Sequence, residues 1–294
     1  MSNKIPPSEL ILNEDGSIYH LALLPEDLGD YIITVGDPGR VPMVSKYFDE
    51  VEVKKSKREF VTHVGRVGQT RITVLSTGIG PDNIDIVLNE LDALVNIDLE
   101  SRTIKEDLTS LHILRLGTSG CLQPDIMVDS LLFSGFGLGF DNLLHFYHER
   151  CNLAEATLRA DLALFLHEHE IELPNDPYPA QGSQEMLEKL SHGDPSGITI
   201  TAPGFYGPQS RRLRLAPLIA AEDLATLSHF KSQGFRMTNF EMETSAIYGL
   251  SRLLGHHALS CNVVLANRSN NTFSSNPRAA VDRMIQTMLD RLAS

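Results

Sequence analysis

The alternation of β-branched runs with glycine-rich turns constrains the fold of this chain more than any other feature. In the first half, three predicted strands each end in such a turn, namely Gly36–Arg40, Thr77–Gly80 and Gly117–Gly120. Strands that alternate with helices predict an α/β fold with a parallel or mixed sheet. No linker or repeat divides the sequence, so we predict a single domain over residues 1–294, with residues 1–18 as an N-terminal arm.

The second half continues the alternation. Hydrophobic periodicity predicts strands at Met127–Phe133, Ile198–Ala202 and Leu259–Ala266. It predicts helices at Leu153–His169, within Leu215–Gln233 beyond Pro217, at Thr244–Leu254 and at Ala279–Leu292. The charged stretch Asn96–Thr109 interrupts this pattern, and we expect a surface insertion there.

Composition excludes several classes of function. The formal net charge of −13 argues against a nucleic-acid or anionic membrane surface. The three cysteines are widely spaced and form no metal-binding pair, which is typical of reduced thiols in the cytoplasm. No apolar stretch approaches the length of a signal peptide core or a membrane span. We therefore expect a soluble cytoplasmic protein.

Arginines accompany two of the glycine turns. Arg40 directly follows the first turn, and Arg115 precedes the third. Backbone amides at a strand-to-helix turn, together with a guanidinium, match the chemistry of phosphate. None of the turns has the spacing of a P-loop or of a dinucleotide-binding motif. The basic segment around Arg58, taken alone, is more typical of a solvated strand.

The segment Asn239–Glu243 places two carboxylates on either side of Met242, just before the predicted helix at Thr244–Leu254. In extended chain, Glu241 and Glu243 would share one side of the strand. A strand-to-helix junction is a frequent location for a small-molecule site in α/β proteins. The alternative is that both glutamates only stabilise the start of the helix through its macrodipole. The segment by itself leaves both interpretations open.

Taken together and in order, four motifs resemble the nucleoside phosphorylase family of the trimeric or hexameric α/β type: Gly36–Arg40, Ser76–Gly80, Arg115–Gly120 and Asn239–Glu243. Three further stretches resemble the pyrimidine-specific members of that family: Lys57–Phe60, Phe205–Arg211 and Val264–Arg268. The similarity extends from Ile18 to Leu292. It implies a mixed, partly barrel-like sheet flanked by helices. It also implies a homo-oligomer, a dimer at least and up to a hexamer, with sites shared between subunits.

The resemblance assigns residues to three parts of one site. Phosphate would be bound by Gly36, Arg40, Arg58, Arg115 and Thr118, with Arg58 supplied by a neighbouring subunit. Ribose would be bound by Met242, Glu243 and the neighbour's equivalent of His20. The base would contact Phe205, Gln209, Arg211 and Glu241, with Glu241 orienting Arg211 or Gln209. The catalytic residues would be Gln209, Arg211 and Arg268, which act on the departing base.

The activity implied is phosphorolysis of uridine to uracil and ribose 1-phosphate in pyrimidine salvage, with deoxyuridine and thymidine open as further substrates. A carboxylate such as Glu243 can accept hydrogen bonds from two adjacent hydroxyls, and Gln209 with Arg211 complements the uracil edge. Purine-cleaving relatives are expected to carry an aspartate where this chain has Asn267–Ser269. The alternatives are a purine or broad-specificity phosphorylase, a nucleosidase, or a non-catalytic nucleoside-binding protein.

We expect inorganic phosphate as co-substrate and neither a metal nor an organic cofactor. The histidine pairs at 145 and 148 and at 167 and 169 have no evident third ligand. Bacterial relatives can hold a monovalent cation through a glutamate that matches Glu59. Its usual serine partner corresponds to Asn83, so we do not predict the ion here.

Overall fold

The computed structural model describes residues 4–148 and 151–293. The strands are β1 Tyr31–Val35, β2 Glu50–Lys57, β3 Phe60–Val67, β4 Thr70–Ser76, β5 Ile97–Asp98, β6 Thr103–Ile104, β7 His112–Cys121, β8 Leu131–Gly139, β9 Tyr178–Gln181, β10 Ser196–Thr201, β11 Lys231–Ser232, β12 Phe235–Glu241, β13 His257–Asn267 and β14 Thr272–Phe273. The α-helices are α1 Arg40–Ser45, α2 Pro81–Asn96, α3 Leu153–Glu168, α4 Gln184–Ser191, α5 Ala221–Leu227, α6 Thr244–Leu254 and α7 Pro277–Ala293. Short 3₁₀ helices occur at Pro25–Asp27, Leu143–Phe146 and Gly207–Gln209.

One mixed sheet forms the centre of the molecule. Its strand order is β11-β12-β10-β8-β13-β7-β1-β4-β3-β2, and an additional pairing joins β12 back to β7. That pairing closes β7, β13, β8, β10 and β12 into a barrel, while β1, β4, β3 and β2 extend from it as an open wing. The predicted α/β fold with a mixed, partly barrel-like sheet is therefore confirmed.

Helices cover the sheet on several sides because each presents an apolar stripe to it. Helices α2 and α6 pack with the N-terminal arm in one cluster, α1, α4 and α7 in a second, and α3 and α5 in a third. Each buried aliphatic side chain contributes about 1.5–3 kcal/mol relative to exposure. No helix in the described part of the chain is long and apolar enough to cross a membrane.

Two predicted elements were wrong in extent. The strand expected at Met127–Phe133 is β8, which starts at Leu131, since Asp129 has a left-handed φ of 67° that interrupts extended chain. The helix expected beyond Pro217 is confined to α5. A two-residue turn of Gln233 and Gly234, both with positive φ, follows it and joins β11 to β12 as a hairpin.

The N-terminal arm and the Asn96–Thr109 insertion pack against each other. The insertion is largely exposed, as predicted, and contains the small hairpin β5–β6. The amide of Ile5 donates to the carbonyl of Arg102 at 2.8 Å, and Leu10 of the arm is buried. Asn96 fastens the base of the insertion through two hydrogen bonds with the backbone of Thr109, at 2.7 and 3.1 Å.

Gly137, one of three alternating glycines in β8, brings helix α6 directly onto the sheet. A methyl group at Gly137 would lie 2.7 Å from the Cα of Ser245, in the first turn of α6. One at Gly139 would lie 2.3 Å from the ring of Tyr178. Any side chain larger than that of glycine would therefore clash with the backbone of α6 at position 137 and with the ring of Tyr178 at position 139. Gly137 therefore sets how closely the first turn of α6, which follows the segment Glu241–Glu243, lies against β8.

We predict that Gly137→Ala destabilises the fold by about 1–3 kcal/mol, because the added methyl forces α6 away from β8. Thermal and urea unfolding would measure the loss. Gly207→Ala is the matched control, since a methyl there has no neighbour within 4 Å. We expect it to change stability by less than about 0.5 kcal/mol. Equal stability of the two variants would contradict this account of β8.

Candidate functional site

A cavity of about 480 Å³ lies where the carboxyl ends of several strands meet. Its walls come from the turns after β1 and β4, the ends of β7, β12 and β13, the loop after β10, and β14. The pairing of β12 with β7, which aligns Phe240 with Gly120, brings the segment Glu241–Glu243 beside the third glycine turn. Barrel closure thus collects motifs that are more than a hundred residues apart.

The structure brings ten of the thirteen predicted site residues to this cavity: Gly36, Arg40, Arg115, Thr118, Phe205, Gln209, Arg211, Glu241, Met242 and Glu243. Arg268 lies just behind its wall and donates through Nη1 to the carbonyl of Gln209 at 2.5 Å. His20 and Arg58 are not among the residues that border it.

Arg115 is buried and bound to carboxylates. Its Nη2 lies 2.6 Å from Glu243 Oε2 and 3.0 Å from Glu241 Oε2. Its Nη1 donates to Asn262 Oδ1 at 2.6 Å. A buried guanidinium needs partners of this kind, because removing it from water is costly. The arrangement fixes one cation at the inner wall of the cavity.

Arg40 is a second cation beside Arg115, but its environment differs. It donates through Nη1 to the carbonyl of Leu116 at 3.1 Å, and none of the described carboxylates forms an ion pair with it. Burial, and secondly the nearby charge of Arg115, lower the pKa of Arg40. An anion at this end of the cavity would relieve the repulsion between the two guanidiniums.

The two glutamates have different environments. Glu241 accepts from Thr201 Oγ1 at 2.6 Å and from the amides of Glu243 and Thr244 at 2.9 Å each, besides its contact with Arg115. The prediction that it orients Arg211 or Gln209 was wrong, because neither is among its partners. Glu241 ends β12 and lies opposite Thr201 of β10, so the pairing of these two strands decides what its side chain touches.

Glu243 retains capacity to accept further hydrogen bonds. It accepts from the amide of Gly80 at 2.9 Å through Oε1 and from Arg115 through Oε2. An ionised carboxylate offers about four acceptor positions, so about two remain for a ligand. Burial raises the pKa of Glu243, opposed by the charge of Arg115. A ligand hydroxyl is a suitable partner for it.

The loop after β10 forms a cationic, donor-rich end. The guanidinium of Arg211 lies 3.9 Å from the ring centroid of Phe205, and its Nη1 donates to the Phe205 carbonyl at 2.8 Å. Arg211 also donates to Oε1 of the buried Gln209. Burial, and then the charge of Arg268, lower the pKa of Arg211. Such an end favours a ligand that carries carbonyl oxygens or developing negative charge.

His20 and Arg58 lie on other elements. The Nδ1 of His20 is 2.6 Å from Glu90 Oε1, and Glu90 also accepts from the amides of His20 and Leu21. Arg58 is exposed in the turn between β2 and β3, with a left-handed φ of 56°. The prediction that both serve a neighbouring subunit remains a prediction.

Sequence reasoning missed several residues at the cavity. Ile79 and Phe273 border it and are 70% and 72% exposed. Ile79 lies inside the Ser76–Gly80 motif but was not assigned to the site, and no pattern marked Phe273. Asn262, which anchors Arg115, did carry a signal. It alternates with Ser260 in the otherwise apolar strand β13, as residues on one side of a strand do. In residues 4–148 and 151–293, no group of three or more His, Cys, Asp or Glu could hold a metal ion.

Known proteins resemble the chain over most of its length. The family model described as the phosphorylase superfamily matches residues 30–293. A uridine phosphorylase of Thermococcus kodakarensis is 30% identical over 275 residues, covering 93% of this chain and 86% of the relative. A uridine phosphorylase of Haemophilus influenzae is 26% identical, covering 86% of this chain and 87% of the relative.

A solved structure agrees in fold. The nucleoside phosphorylase of Trypanosoma brucei, described as showing uridine phosphorylase activity, superposes with a TM-score of 0.84 at 29% sequence identity. The match covers 97% of this chain and 99% of that protein. The similarity therefore extends over nearly the whole fold.

We predict that Gly36→Ala weakens phosphate binding about ten- to a hundredfold while the protein stays folded. Gly36 borders the cavity, and within the protein a methyl there would meet only the Gly78 carbonyl at 3.4 Å. Calorimetric titration with phosphate would measure the change. Gly39→Ala, in the same turn but outside the cavity, is the control and should bind normally. Unchanged affinity in Gly36→Ala would remove Gly36 from the anion site.

Proposed function

Since the chain belongs to the phosphorylase superfamily, we propose that it cleaves uridine with inorganic phosphate, giving uracil and ribose 1-phosphate. The observation that carries this proposal is the combination of chemistries that borders one cavity. Arg40, a half-buried cation with which none of the described carboxylates forms an ion pair, borders the cavity together with the donor pair Gln209 and Arg211. Glu243, with free acceptor positions, belongs to the same cavity. Phosphate, ribose and a pyrimidine require this combination of groups.

Phosphate binds beside Arg40 and Arg115 in this proposal, with the backbone at Gly36 and the hydroxyl of Thr118 completing the site. A dianion next to the buried Arg115 and the half-buried Arg40 satisfies donors that water would otherwise serve. Guanidinium-to-phosphate hydrogen bonds are among the stronger ones. The overall charge of the protein is unfavourable for an anion. Affinity therefore depends on this local group of cations.

The ribose lies against Met242, with its 2′- and 3′-hydroxyls donating to Glu243. Met242 supplies a polarizable apolar surface beneath the sugar. The glycosidic bond breaks with positive charge developing on the ribose, and the adjacent phosphate stabilises that charge and then attacks the anomeric carbon. Holding the two reactants in this order supplies much of the rate acceleration.

The uracil lies beside Phe205, and Gln209 and Arg211 donate to it. Negative charge grows on the base as the bond breaks, and donors placed in advance stabilise it by about 2.7–4 kcal/mol each. Arg268 acts behind them, because it holds the carbonyl of Gln209 and adds positive charge. No metal or organic cofactor is required, since phosphate is the nucleophile and side chains stabilise the leaving group.

A pyrimidine is favoured over a purine by the end of β13. A purine substrate is expected to need an acid there to protonate its ring. The residue at the strand end is Asn267. Its amide donates to the backbone carbonyls of Gln123 and Ile126 at 2.8 Å each, so both of its N–H groups are used within the protein. Ser269 donates to the carbonyl of Leu122. Neither side chain supplies a proton to a base.

The active form is a homo-oligomer in this proposal. His20 and Arg58 do not border the cavity of their own chain, since His20 lies just after the N-terminal arm and Arg58 lies in the β2–β3 turn. A neighbouring copy would bring its Arg58 to the phosphate and its His20 to the 5′-hydroxyl of the ribose. A dimer is the smallest assembly that meets this requirement.

The proposal is tested by incubating the protein with uridine, thymidine or inosine, with and without phosphate, and identifying the products. Uracil and ribose 1-phosphate formed only with phosphate is the expected result. Base release without phosphate would indicate a nucleosidase, and preferential cleavage of inosine a purine phosphorylase. No release from any nucleoside would leave a binding protein and overturn the proposal.

We predict that Arg211→Ala lowers kcat for uridine by about 10²–10³-fold, since one donor to the departing base is lost. Steady-state kinetics would measure this, and circular dichroism would show an intact fold. Arg212→Ala is the matched control, because Arg212 is exposed and does not border the cavity. Equal turnover by both variants and the wild type would sink the assignment of the base site.

A further inference from the structure

The guanidinium of Arg115 is anchored by two residues that the proposed chemistry does not use. Glu241 contacts Nη2 at 3.0 Å, and Asn262 accepts from Nη1 at 2.6 Å. We propose that Glu241 and Asn262 are positioning residues, which hold Arg115 toward phosphate so that Glu243 is free to bind ribose. This inference rests on the proposed function, because it takes Arg115 as a phosphate ligand.

Glu241 is suited to anchor Arg115 and unsuited to bind a ligand. Besides Arg115, its carboxylate accepts from the hydroxyl of Thr201 and from the amides of Glu243 and Thr244. These donors occupy both oxygens, and the side chain is only 1% exposed. A substrate hydroxyl could reach Glu241 only by displacing a bond at the start of α6. Glu243, with two protein partners, has no such restriction.

Asn262 and Gly117 complete the pocket that holds the guanidinium of Arg115. A methyl group at Gly117 would lie 1.9 Å from Arg115 Nη1 and 2.5 Å from Asn262 Oδ1. Because Gly117 has no side chain, the guanidinium of Arg115 and the amide of Asn262 can occupy the space beside it. The β7–β13 register places Asn262 opposite Gly117, so the two strands together form the pocket around the guanidinium.

The anchors matter because Glu243 has two competing uses. Without ligand it pairs with Arg115 at 2.6 Å, whereas ribose requires its acceptor positions. If Glu243 were its only partner, the buried guanidinium of Arg115 would remain paired with Glu243, because breaking the pair would leave an uncompensated charge. Arg115 would then point toward Glu243 and away from phosphate. Glu243 would still offer Oε1 to the ribose, so phosphate binding is the step that suffers more.

The test uses variants that keep the formal charge of the site. A change in phosphate affinity then reports the position of the Arg115 guanidinium and not a change in electrostatic potential. These are Glu241→Asp, which withdraws the carboxylate from Arg115, and Asn262→Ala, which removes the other anchor. We expect each to raise the KM and the calorimetric Kd for phosphate roughly ten- to a hundredfold. The KM for uridine should change less than about threefold.

Thr201→Val is the matched control. It removes a hydrogen bond to Glu241 and one from the Ser245 amide, but no contact with Arg115. It should lower the melting temperature and leave phosphate affinity within about twofold of wild type. An equal loss of phosphate affinity in Thr201→Val would show that a loosened α6 is the cause, and would overturn the inference.

Two further outcomes separate this inference from the proposed function. Normal phosphate Kd in both Asn262→Ala and Glu241→Asp overturns the positioning role even if the wild type cleaves uridine. A wild type that binds phosphate but releases no base refutes the proposed function, while the calorimetric comparison still decides the positioning role. If Glu241→Asp fails to fold, Asn262→Ala alone decides. A wild type that binds no phosphate overturns both.

Discussion

The structure around the cavity depends on one buried cation shared by two carboxylates. Arg115 on β7 meets Glu241 and Glu243, which lie at the end of β12 and the start of α6. Such a group is stable only if every partner is held in place, because an unpaired charge in the interior costs several kcal/mol. The pairing of β12 with β7, which closes the barrel, supplies that constraint. The same pairing builds the wall of the site.

Glycines allow the close approaches on which this arrangement relies. Gly137 lets the first turn of α6 lie against β8, and Gly117 leaves room for the guanidinium of Arg115 beside Asn262. At Gly137 a methyl group would overlap the backbone of α6, and at Gly117 it would overlap the guanidinium of Arg115 and the amide of Asn262, which are hydrogen-bonded to each other. Tight packing therefore specifies the position of charged groups as well as the stability of the core.

The charge distribution explains how an acidic protein can use an anionic substrate. The chain has 38 acidic and 25 basic residues, so its overall field repels phosphate. Arg40, Arg115, Arg211 and Arg268 nevertheless gather in or directly behind one cavity. Arg115 is neutralised by glutamates, while none of the described carboxylates lies at hydrogen-bonding distance from Arg40. The field at the phosphate end is thus set locally, at short range and in a partly dry environment.

The sequence alone determined the α/β class, the helix at Thr244–Leu254 and the ordered motifs that meet at the cavity, because these depend on local periodicity and turn chemistry. It did not determine the extent of β8. Asp129, with its left-handed φ, delays the start of the strand to Leu131, and the strand continues to Gly139 through glycines that weaken strand propensity but allow close packing. Nor did it determine the partner of Glu241. Alternation in extended chain predicted both glutamates on one side, but Glu243 lies beyond β12, at the start of α6. The pairing of β12 with β10 placed Thr201 beside Glu241, and closure of the barrel placed Arg115 against both carboxylates. Contacts between strands far apart in sequence are a property of the tertiary structure, and they decide which carboxylate anchors and which remains free.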